Sequence, residues 1–263
     1  VRFLDIATPG DGRKKQEQRL DSMDLERARG ITIKAAAVSL ELKIKGQDYL
    51  LNLIDTPGHV DFAYEVEKSL QACEGALLLI DAAQGIQAQT VANAMLALEQ
   101  DMEVMPVFNK IDLPHARPDE IAQELEHVLL LESEGVLHCS AKTGKGVPAI
   151  IDEIVERIPA PKGDPKAPLR ALIFDAAYDE YRGVIVYLRI VDGIIRKRDL
   201  VHMIGADANY EVLELGRYTP EPKPCDELHP GEVGYLISNI KELGDIRVGD
   251  TITVNKGERA EVL

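Results

Sequence analysis

Apolar residues recur with two different periods in the first 160 residues of the chain. Short apolar runs typical of strands cover 35–44, 48–55, 75–81, 102–109 and 135–140. Segments whose apolar residues share one helical face cover 62–73, 87–100, 118–132 and 146–158. After a first pair of strands joined by a turn at Gly46, the two kinds of segment alternate, which predicts a mostly parallel sheet with helices on both faces. The wholly apolar run GALLLID (75–81) predicts a strand buried on both faces of that sheet.

The pattern changes after a proline-rich stretch. Residues 159–168 (PAPKGDPKAP) hold four prolines and one glycine, which is typical of a linker. Beyond it, short β-rich runs are separated by Gly, Asp and Pro, and no segment has helical spacing. We therefore predict an α/β domain over 1–160, a linker over 161–168 and a small antiparallel β-barrel over 169–263.

Composition and charge narrow the class of protein. The 263 residues are 45% hydrophobic and 29% charged, and no apolar stretch reaches membrane-spanning length. The formal charge of −15 argues against a general nucleic-acid binder, whose surface is basic. The three cysteines, Cys73, Cys139 and Cys225, lie far apart, which favours reduced thiols in a cytoplasmic protein.

Three polar segments follow predicted strands directly: DTPGH (55–59), NKID (109–112) and SAK (140–142). Ligands of open parallel sheets bind beyond the carboxyl ends of the strands, so we expect all three segments along one sheet edge. Asp55 could hold a hydrated Mg²⁺, a cation that prefers carboxylate and water oxygens. Gly58 lets a backbone N–H approach an anion closely, and His59 beside it could orient a water molecule.

The other two segments suit a purine base. The Asp112 carboxylate can accept the paired N1–H and exocyclic N–H₂ of guanine, a pairing that adenine does not offer. Asn109 supplies an amide, and the stem of Lys110 can cover a flat ring. The backbone N–H groups of Ser140, Ala141 and Lys142 would close the base pocket.

In this order and spacing, DTPGH, NKID and SAK resemble the third, fourth and fifth motifs of translational GTPases, and RGITI (29–33) resembles their switch I. Longer strings, LDSMDLERARGITIKA (20–35) and CSAKTG (139–144), resemble the LepA, or elongation factor 4, family. The second half of the chain resembles the barrel domain that follows the GTPase domain in that family. Another translational GTPase, of the BipA/TypA or elongation factor G type, is the alternative within the class.

The resemblance implies a fold and an activity. The fold is an α/β P-loop-type GTPase domain followed by a small antiparallel β-barrel. The activity is ribosome-dependent hydrolysis of GTP to GDP and phosphate during translation elongation, with Mg²⁺ as cofactor. Implied partners are GTP or GDP and the ribosome, both its RNA and its proteins. The implied location is the cytoplasm, and peripheral association with the inner face of the cell membrane is left open.

Site residues follow from the resemblance position by position. Thr32 and Asp55 would hold Mg²⁺, and Gly58 would bind the γ-phosphate from within the Thr56-Pro57-Gly58 turn. His59 would position the attacking water and is the one expected catalytic residue. The expected base-binding residues are Asn109, Lys110, Asp112, Ser140, Ala141 and Lys142.

The sequence departs from the family at one motif. The phosphate loop G-x-x-x-x-G-K-[ST] is missing, and TPGDGRKK (8–15) does not replace it because no G-K-[ST] follows its glycines. The family's first strand and its domains beyond the barrel are expected to be missing too. Two explanations stay open: a truncated GTPase sequence, or a natural chain without a phosphate grip that acts only as a ribosome- or partner-binding module.

Overall fold

The computed structural model describes residues 34–219, 221–254 and 262–263. Thr32 and the rest of 29–33 therefore lie outside the described residues. Contacts between Cα atoms divide the chain into two compact units. Among the described residues, the first unit contains Lys34, Ile44–Gln47 and Thr56–Pro159, and the second contains Ala35–Lys43, Asp48–Asp55 and the chain from Ala160 onward.

The first two strands, β1 (Ala36–Ile44) and β2 (Gln47–Asp55), form a hairpin. Its two-residue loop has positive φ at both positions, 50° at Lys45 and 86° at Gly46, as a tight hairpin turn between twisted strands requires. These strands make a two-stranded sheet by themselves and do not pair with the parallel sheet described next. The expectation that DTPGH shares a sheet edge with NKID and SAK is therefore wrong, because the strand that carries DTPGH is not part of that sheet.

The parallel sheet of the first unit contains β3 (Gly75–Asp81), β4 (Glu103–Asn109) and β5 (Leu137–His138), in that order. Both strand pairs are parallel, as the alternating pattern predicts. Within the described residues, β3 pairs on one side only, with β4, and the side chain of Leu79 is 57% exposed. The prediction that GALLLID is buried on both faces is therefore wrong, since no described strand or helix covers Leu79.

Four helices alternate with these strands. They are α1 (Ala63–Leu70), α2 (Ala88–Leu98), α3 (Pro118–Glu124) and α4 (Val147–Arg157). A 3₁₀ turn at Val60–Phe62 leads into α1, and a π-helical turn at Leu125–Leu129 extends α3. The helix predicted over 118–132 stops there because Leu130 is left-handed, with φ at 56°.

Two apolar clusters hold the first unit together. In one, Ile80 of β3 and Phe108 of β4 pack with Ile121 and Leu125 of the α3 segment. The other joins Val66 and Leu70 of α1 to α2 and to β4. Because β3 and β4 both contribute buried residues to these clusters, burial fixes the register of these two strands and where their carboxyl ends lie.

The second unit is built from short strands. They are β6 (Arg170–Asp179), β7 (Gly183–Asp192), β8 (Ile195–Arg196), β9 (Leu200–Met203), β10 (Ala208–Glu211), β11 (Glu214–Tyr218), β12 (Pro222–Cys225), β13 (Glu227–Leu228), β14 (Val233–Ile237) and β15 (Thr251–Val254). Eight of them form an antiparallel sheet in the order β10-β9-β15-β6-β7-β14-β11-β12, and β8 pairs with β13. A 3₁₀ turn, Leu243–Asp245, precedes the last strand. The described part of this unit contains no α-helix, as the sequence pattern predicts.

A carboxylate ties the last strand of this sheet to the turn after β9. Asp250 is buried and accepts hydrogen bonds from the N–H groups of Gly205 at 2.6 Å, Ala206 at 3.1 Å and Thr251 at 2.7 Å. Partly or wholly buried N–H groups left without an acceptor cost free energy. Asp250 therefore stabilises the turn between β9 and β10.

We expect Asp250→Ala to lower the free energy of unfolding of the second unit by about 2–3 kcal/mol, because these donors lose their acceptor. Urea unfolding followed by near-ultraviolet circular dichroism measures it, since the chain has no Trp and Tyr187, Tyr218 and Tyr235 form a ring cluster in this unit. Asp245→Ala is the matched control, since it removes the same charge from an exposed position. Equal loss of stability in the two variants would contradict the role given to Asp250.

Candidate functional site

The carboxyl ends of β3 and β4 lie side by side in the parallel sheet. Asp81, the last residue of β3, stands opposite Asn109, the last residue of β4. One strand further, Phe108 stands opposite His138, so the segment that begins at Cys139 leaves the sheet at the same edge. NKID and SAK therefore lie together, as expected from the sequence, and DAAQG (81–85) joins them.

The side chain of Asn109 connects the two loops. Its Oδ1 accepts hydrogen bonds from the N–H of Lys110 at 2.7 Å and from the N–H of Ala141 at 3.0 Å. The backbone adds two more links, Cys139 N–H to Phe108 O at 2.8 Å and Ile111 N–H to Cys139 O at 3.2 Å. The carboxamide thus fixes NKID against SAK.

The SAK segment is a tight turn held by its own hydrogen bonds. Ser140 is fully buried, and its hydroxyl accepts the N–H of Thr143 at 3.1 Å. The Ser140 N–H donates to Lys145 O at 2.9 Å, and Gly144 N–H donates to Ser140 O at 2.8 Å. The N–H groups of Ser140 and Ala141 therefore both donate hydrogen bonds within the loops. In this structure they stabilise the turn.

Beneath this turn, Cys139 packs as a buried residue. Burial raises the pKa of the Cys139 thiol above its ordinary value. Its Sγ also donates a weak hydrogen bond to Asn109 Oδ1 at 3.6 Å, so the thiol supports the carboxamide that links the two loops.

Lys110 leaves β4 in an unusual conformation. Its φ is 64°, in the left-handed region that residues with a Cβ rarely adopt. Its Nζ lies 2.7 Å from Oδ2 of Asp81, so the side chain reaches across the strand ends. Asp112 and Lys142 are both exposed at the surface of the same loops.

Asp81 is a polar residue of this edge that the sequence reasoning missed. Partial burial alone would raise the pKa of the Asp81 carboxyl, but hydrogen bonds from Lys110 and from the N–H groups of Ala83 and Gln84 outweigh it and hold that pKa below its ordinary value. The signal was present in the sequence, because the apolar run GALLLID ends in a carboxylate just as YLLNLID does.

The DTPGH motif begins at the end of β2. Asp55 is exposed, Thr56 is half-buried, Pro57 is buried and Gly58 is exposed. A Cβ added at Gly58 would meet no atom within 4 Å, so the backbone there is open to close approach. Asn93 of α2 donates to Gly58 O at 3.5 Å, which ties the turn to the first unit.

His59 is oriented by its own loop. Nδ1 lies 3.2 Å from the N–H of Asp61 and 3.3 Å from an Asp61 carboxylate oxygen, so Asp61 holds one edge of the ring. The ring meets Phe62 edge-on, with centroids 6.2 Å apart, and the side chain is 45% exposed. The described residues contain no group of three or more His, Cys, Asp or Glu that could hold a metal ion.

Family profiles match both units. The profile of the elongation factor Tu GTP binding domain matches residues 4–160, and that of elongation factor Tu domain 2 matches residues 183–253. The fold predicted from the sequence, a GTPase-type α/β domain followed by a β-barrel, is confirmed by these matches.

Two curated relatives named elongation factor 4 match nearly all of this chain. Elongation factor 4 of Bacillus velezensis is 53% identical over 263 residues, which is 100% of this chain and 43% of the relative. Elongation factor 4 of Prochlorococcus marinus is 55% identical over 252 residues, which is 95% of this chain and 42% of the relative. The chain thus spans less than half the length of the relatives it matches.

A solved structure supports the fold. The bacterial selenocysteine-specific elongation factor EF-Sec superposes with a TM-score of 0.72 at 20% identity, over 97% of this chain and 42% of that one. The resemblance to elongation factor 4 that the motifs indicate is confirmed by the curated relatives. The chain therefore belongs to the elongation factor Tu-type family of translational GTPases, and it is similar over its whole length to elongation factor 4.

Proposed function

We propose that this chain binds GTP with Mg²⁺ and hydrolyses it to GDP and phosphate in a ribosome-dependent reaction of translation elongation, as a protein of the elongation factor 4 type. The observation that carries the proposal is the bond from Ala141 N–H to Asn109 Oδ1, which joins NKID to SAK at 3.0 Å. Two loops fixed in this way make a preorganised corner at the end of a parallel sheet, where ligands of such folds bind.

The base would bind at this corner. Asp112, at the surface of the NKID loop, would accept the N1–H and N–H₂ groups of guanine. The stem of Lys110 would cover one face of the ring, and Asn109 would hold the corner together. The turn of Ser140, Ala141 and Lys142 would enclose the edge of the base that carries its carbonyl.

The phosphates would bind at the DTPGH segment (55–59). Gly58 offers an approachable backbone beside the γ-phosphate, and Thr56 and Pro57 set the turn that presents it. Asp55 ends a strand with an exposed carboxylate, a hard oxygen ligand of the kind Mg²⁺ takes singly or in pairs alongside water. Thr32 and Asp55 are the residues proposed to hold that ion, which when bound neutralises charge on the phosphate oxygens.

Hydrolysis would depend on positioning more than on covalent chemistry, because phosphoryl transfer needs an aligned water and stabilised charge. His59 is the residue proposed to align the water. Its ring is partly exposed and held by Asp61, so it could be moved into place by contact with a large partner. The ribosome is the partner proposed, through its RNA and its proteins.

A second candidate function rests on the sequence itself. No G-x-x-x-x-G-K-[ST] motif is present, and that motif holds the α- and β-phosphates. A chain without this phosphate-binding loop could act as a ribosome- or partner-binding module that does not hydrolyse GTP. Negligible GDP affinity would favour this function over the first.

The proposed location is the cytoplasm, where translation takes place and thiols stay reduced. Within the part of the chain that the structure describes, no helix is both long and apolar enough to cross a membrane.

Base specificity provides the first test. Wild-type chain should bind fluorescent GDP and discriminate against XDP, and Asp112→Asn should reverse that preference. The carboxamide offers one acceptor and one donor, which matches the N1–H and the C2 carbonyl of xanthine. We expect about a 10-fold or larger change in the ratio of the two Kd values, the size of a hydrogen bond to a charged group.

Titration of the fluorescent nucleotides measures both constants. Asp119→Asn is the matched control, because it removes a carboxylate from an exposed position at the start of α3. An unchanged GDP-to-XDP ratio in Asp112→Asn would contradict the base-reading role of Asp112.

Catalysis provides the second test. We expect His59→Ala to leave the Kd for GDP unchanged and to lower ribosome-stimulated GTP hydrolysis by about 100-fold or more, because the water loses its orienting group. Phosphate release in the presence of purified ribosomes measures it. His115→Ala, which removes an exposed histidine from the same unit, should keep the wild-type rate. Full stimulated activity in His59→Ala would exclude the proposed role.

A further inference from the structure

Contacts within the protein hold Lys110 at both its backbone and its side chain. Its left-handed φ of 64° turns the chain sharply at the end of β4, and its N–H is fixed by Asn109 Oδ1 at 2.7 Å. Conformations of this kind are unfavourable for a residue with a Cβ and persist where surrounding contacts impose them. The backbone of Lys110 therefore aims its side chain in one direction.

The far end of that side chain is fixed by Asp81. Oδ2 of Asp81 lies 2.7 Å from Lys110 Nζ. The other oxygen, Oδ1, accepts the N–H of Ala83 at 2.8 Å and the N–H of Gln84 at 3.3 Å. One carboxylate oxygen thus anchors the turn after β3, and the other is left to hold the ammonium group.

Exposure differs between the two partners. The side chain of Asp81 is 18% exposed, whereas that of Lys110 is 53% exposed. The carboxylate is the fixed member of the pair, and the lysine stem stretches over the open strand ends. A flexible lysine fixed at both its backbone and its ammonium group presents its methylene groups as a surface.

We propose that Asp81 is a positioning residue for guanine-nucleotide binding, which holds the Lys110 stem in the orientation that covers the base. This inference rests on the proposed function and adds a residue to it. Free lysine side chains have many rotamers, and ordering one during binding weakens affinity. A lysine already ordered by Asp81 would avoid that loss.

The competing explanation is a purely structural ion pair. Exposed pairs contribute little to stability, and Asp81 already has a structural role in its turn. The two explanations differ in what Lys110 does. If Asp81 acts through Lys110, its effect on nucleotide affinity disappears when Lys110 has no ammonium group, and if it acts through the turn, the effect remains.

A double-mutant cycle on the full chain separates them. Asp81→Asn keeps an oxygen for the turn and removes the charge that holds the ammonium. Lys110→Met removes the ammonium and keeps an apolar stem. We expect Asp81→Asn alone to weaken binding of fluorescent GDP by about 3- to 10-fold, the effect of one long side chain left unordered. In the Lys110→Met background the same change should alter the Kd by less than about twofold.

Glu120→Gln is the matched control, because it removes a carboxylate that pairs with Arg117 at 2.9 Å at the surface of the same unit. It should leave the Kd unchanged. An equal loss of affinity from Asp81→Asn in both backgrounds would assign Asp81 to the turn and overturn the inference. An unchanged Kd in Asp81→Asn would overturn it as well.

A measurement without nucleotide keeps this inference distinct from the proposed function. Acetic anhydride labelling, read by mass spectrometry, should modify Lys110 more slowly than the exposed Lys142, and Asp81→Asn should remove at least half of that protection. GDP binding by the wild type with no change of Lys110 labelling in Asp81→Asn overturns the inference alone. Protection of Lys110 without any GDP binding by the wild type overturns the proposed function, and the positioning role with it.

Discussion

The parallel register of β3, β4 and β5 is the constraint on which the candidate site depends. It sets Asp81 opposite Asn109 and Phe108 opposite His138, so three loops leave the sheet at one edge. Only because these loops start side by side can one carboxamide oxygen accept N–H groups from both Lys110 and Ala141. The left-handed turn at Lys110 and its reach to Asp81 follow from the same alignment.

Burial enforces that register. Ile80 precedes Asp81 and Phe108 precedes Asn109, and both apolar residues are about 99% buried in one cluster with the α3 segment. Neighbouring residues of a strand point to opposite faces, so a slip by one position would expose these side chains and bury the polar ones. The hydrophobic core therefore places the polar ends of the strands.

Much of this arrangement could be predicted from residue patterns, and the rest depends on contacts that no local pattern encodes. The strands, the helices and the antiparallel second unit follow from period and turn residues. The hairpin of β1 and β2 follows from them as well, but its separation from the parallel sheet does not, because an apolar run such as YLLNLI predicts a strand without saying which sheet it joins. The exposure of Leu79 has the same origin, since burial on two faces requires neighbours that the run itself does not specify.

Asp81 illustrates the same limit within the site. A carboxylate at the end of GALLLID is visible in the sequence, but its partner lies 29 residues away at Lys110. The contact between Asp81 and Lys110 depends on the parallel register, which places the ends of β3 and β4 side by side. For Asn109, by contrast, the motif predicts contact with a ligand. The structure shows that its side chain also accepts a hydrogen bond within the protein, from the Ala141 N–H.

In the proposed function, the distribution of charge would let a chain of net charge −15 bind an anionic nucleotide. Carboxylates lie at the NKID end of the candidate site, where in the proposed function guanine would present N–H donors and no negative charge. Asp81 is neutralised there by Lys110 at 2.7 Å. At the DTPGH end, the Gly58 turn offers backbone that is open to close approach, and His59 follows it directly in the chain. In the proposed function, base recognition and phosphate binding would thus use different parts of the chain.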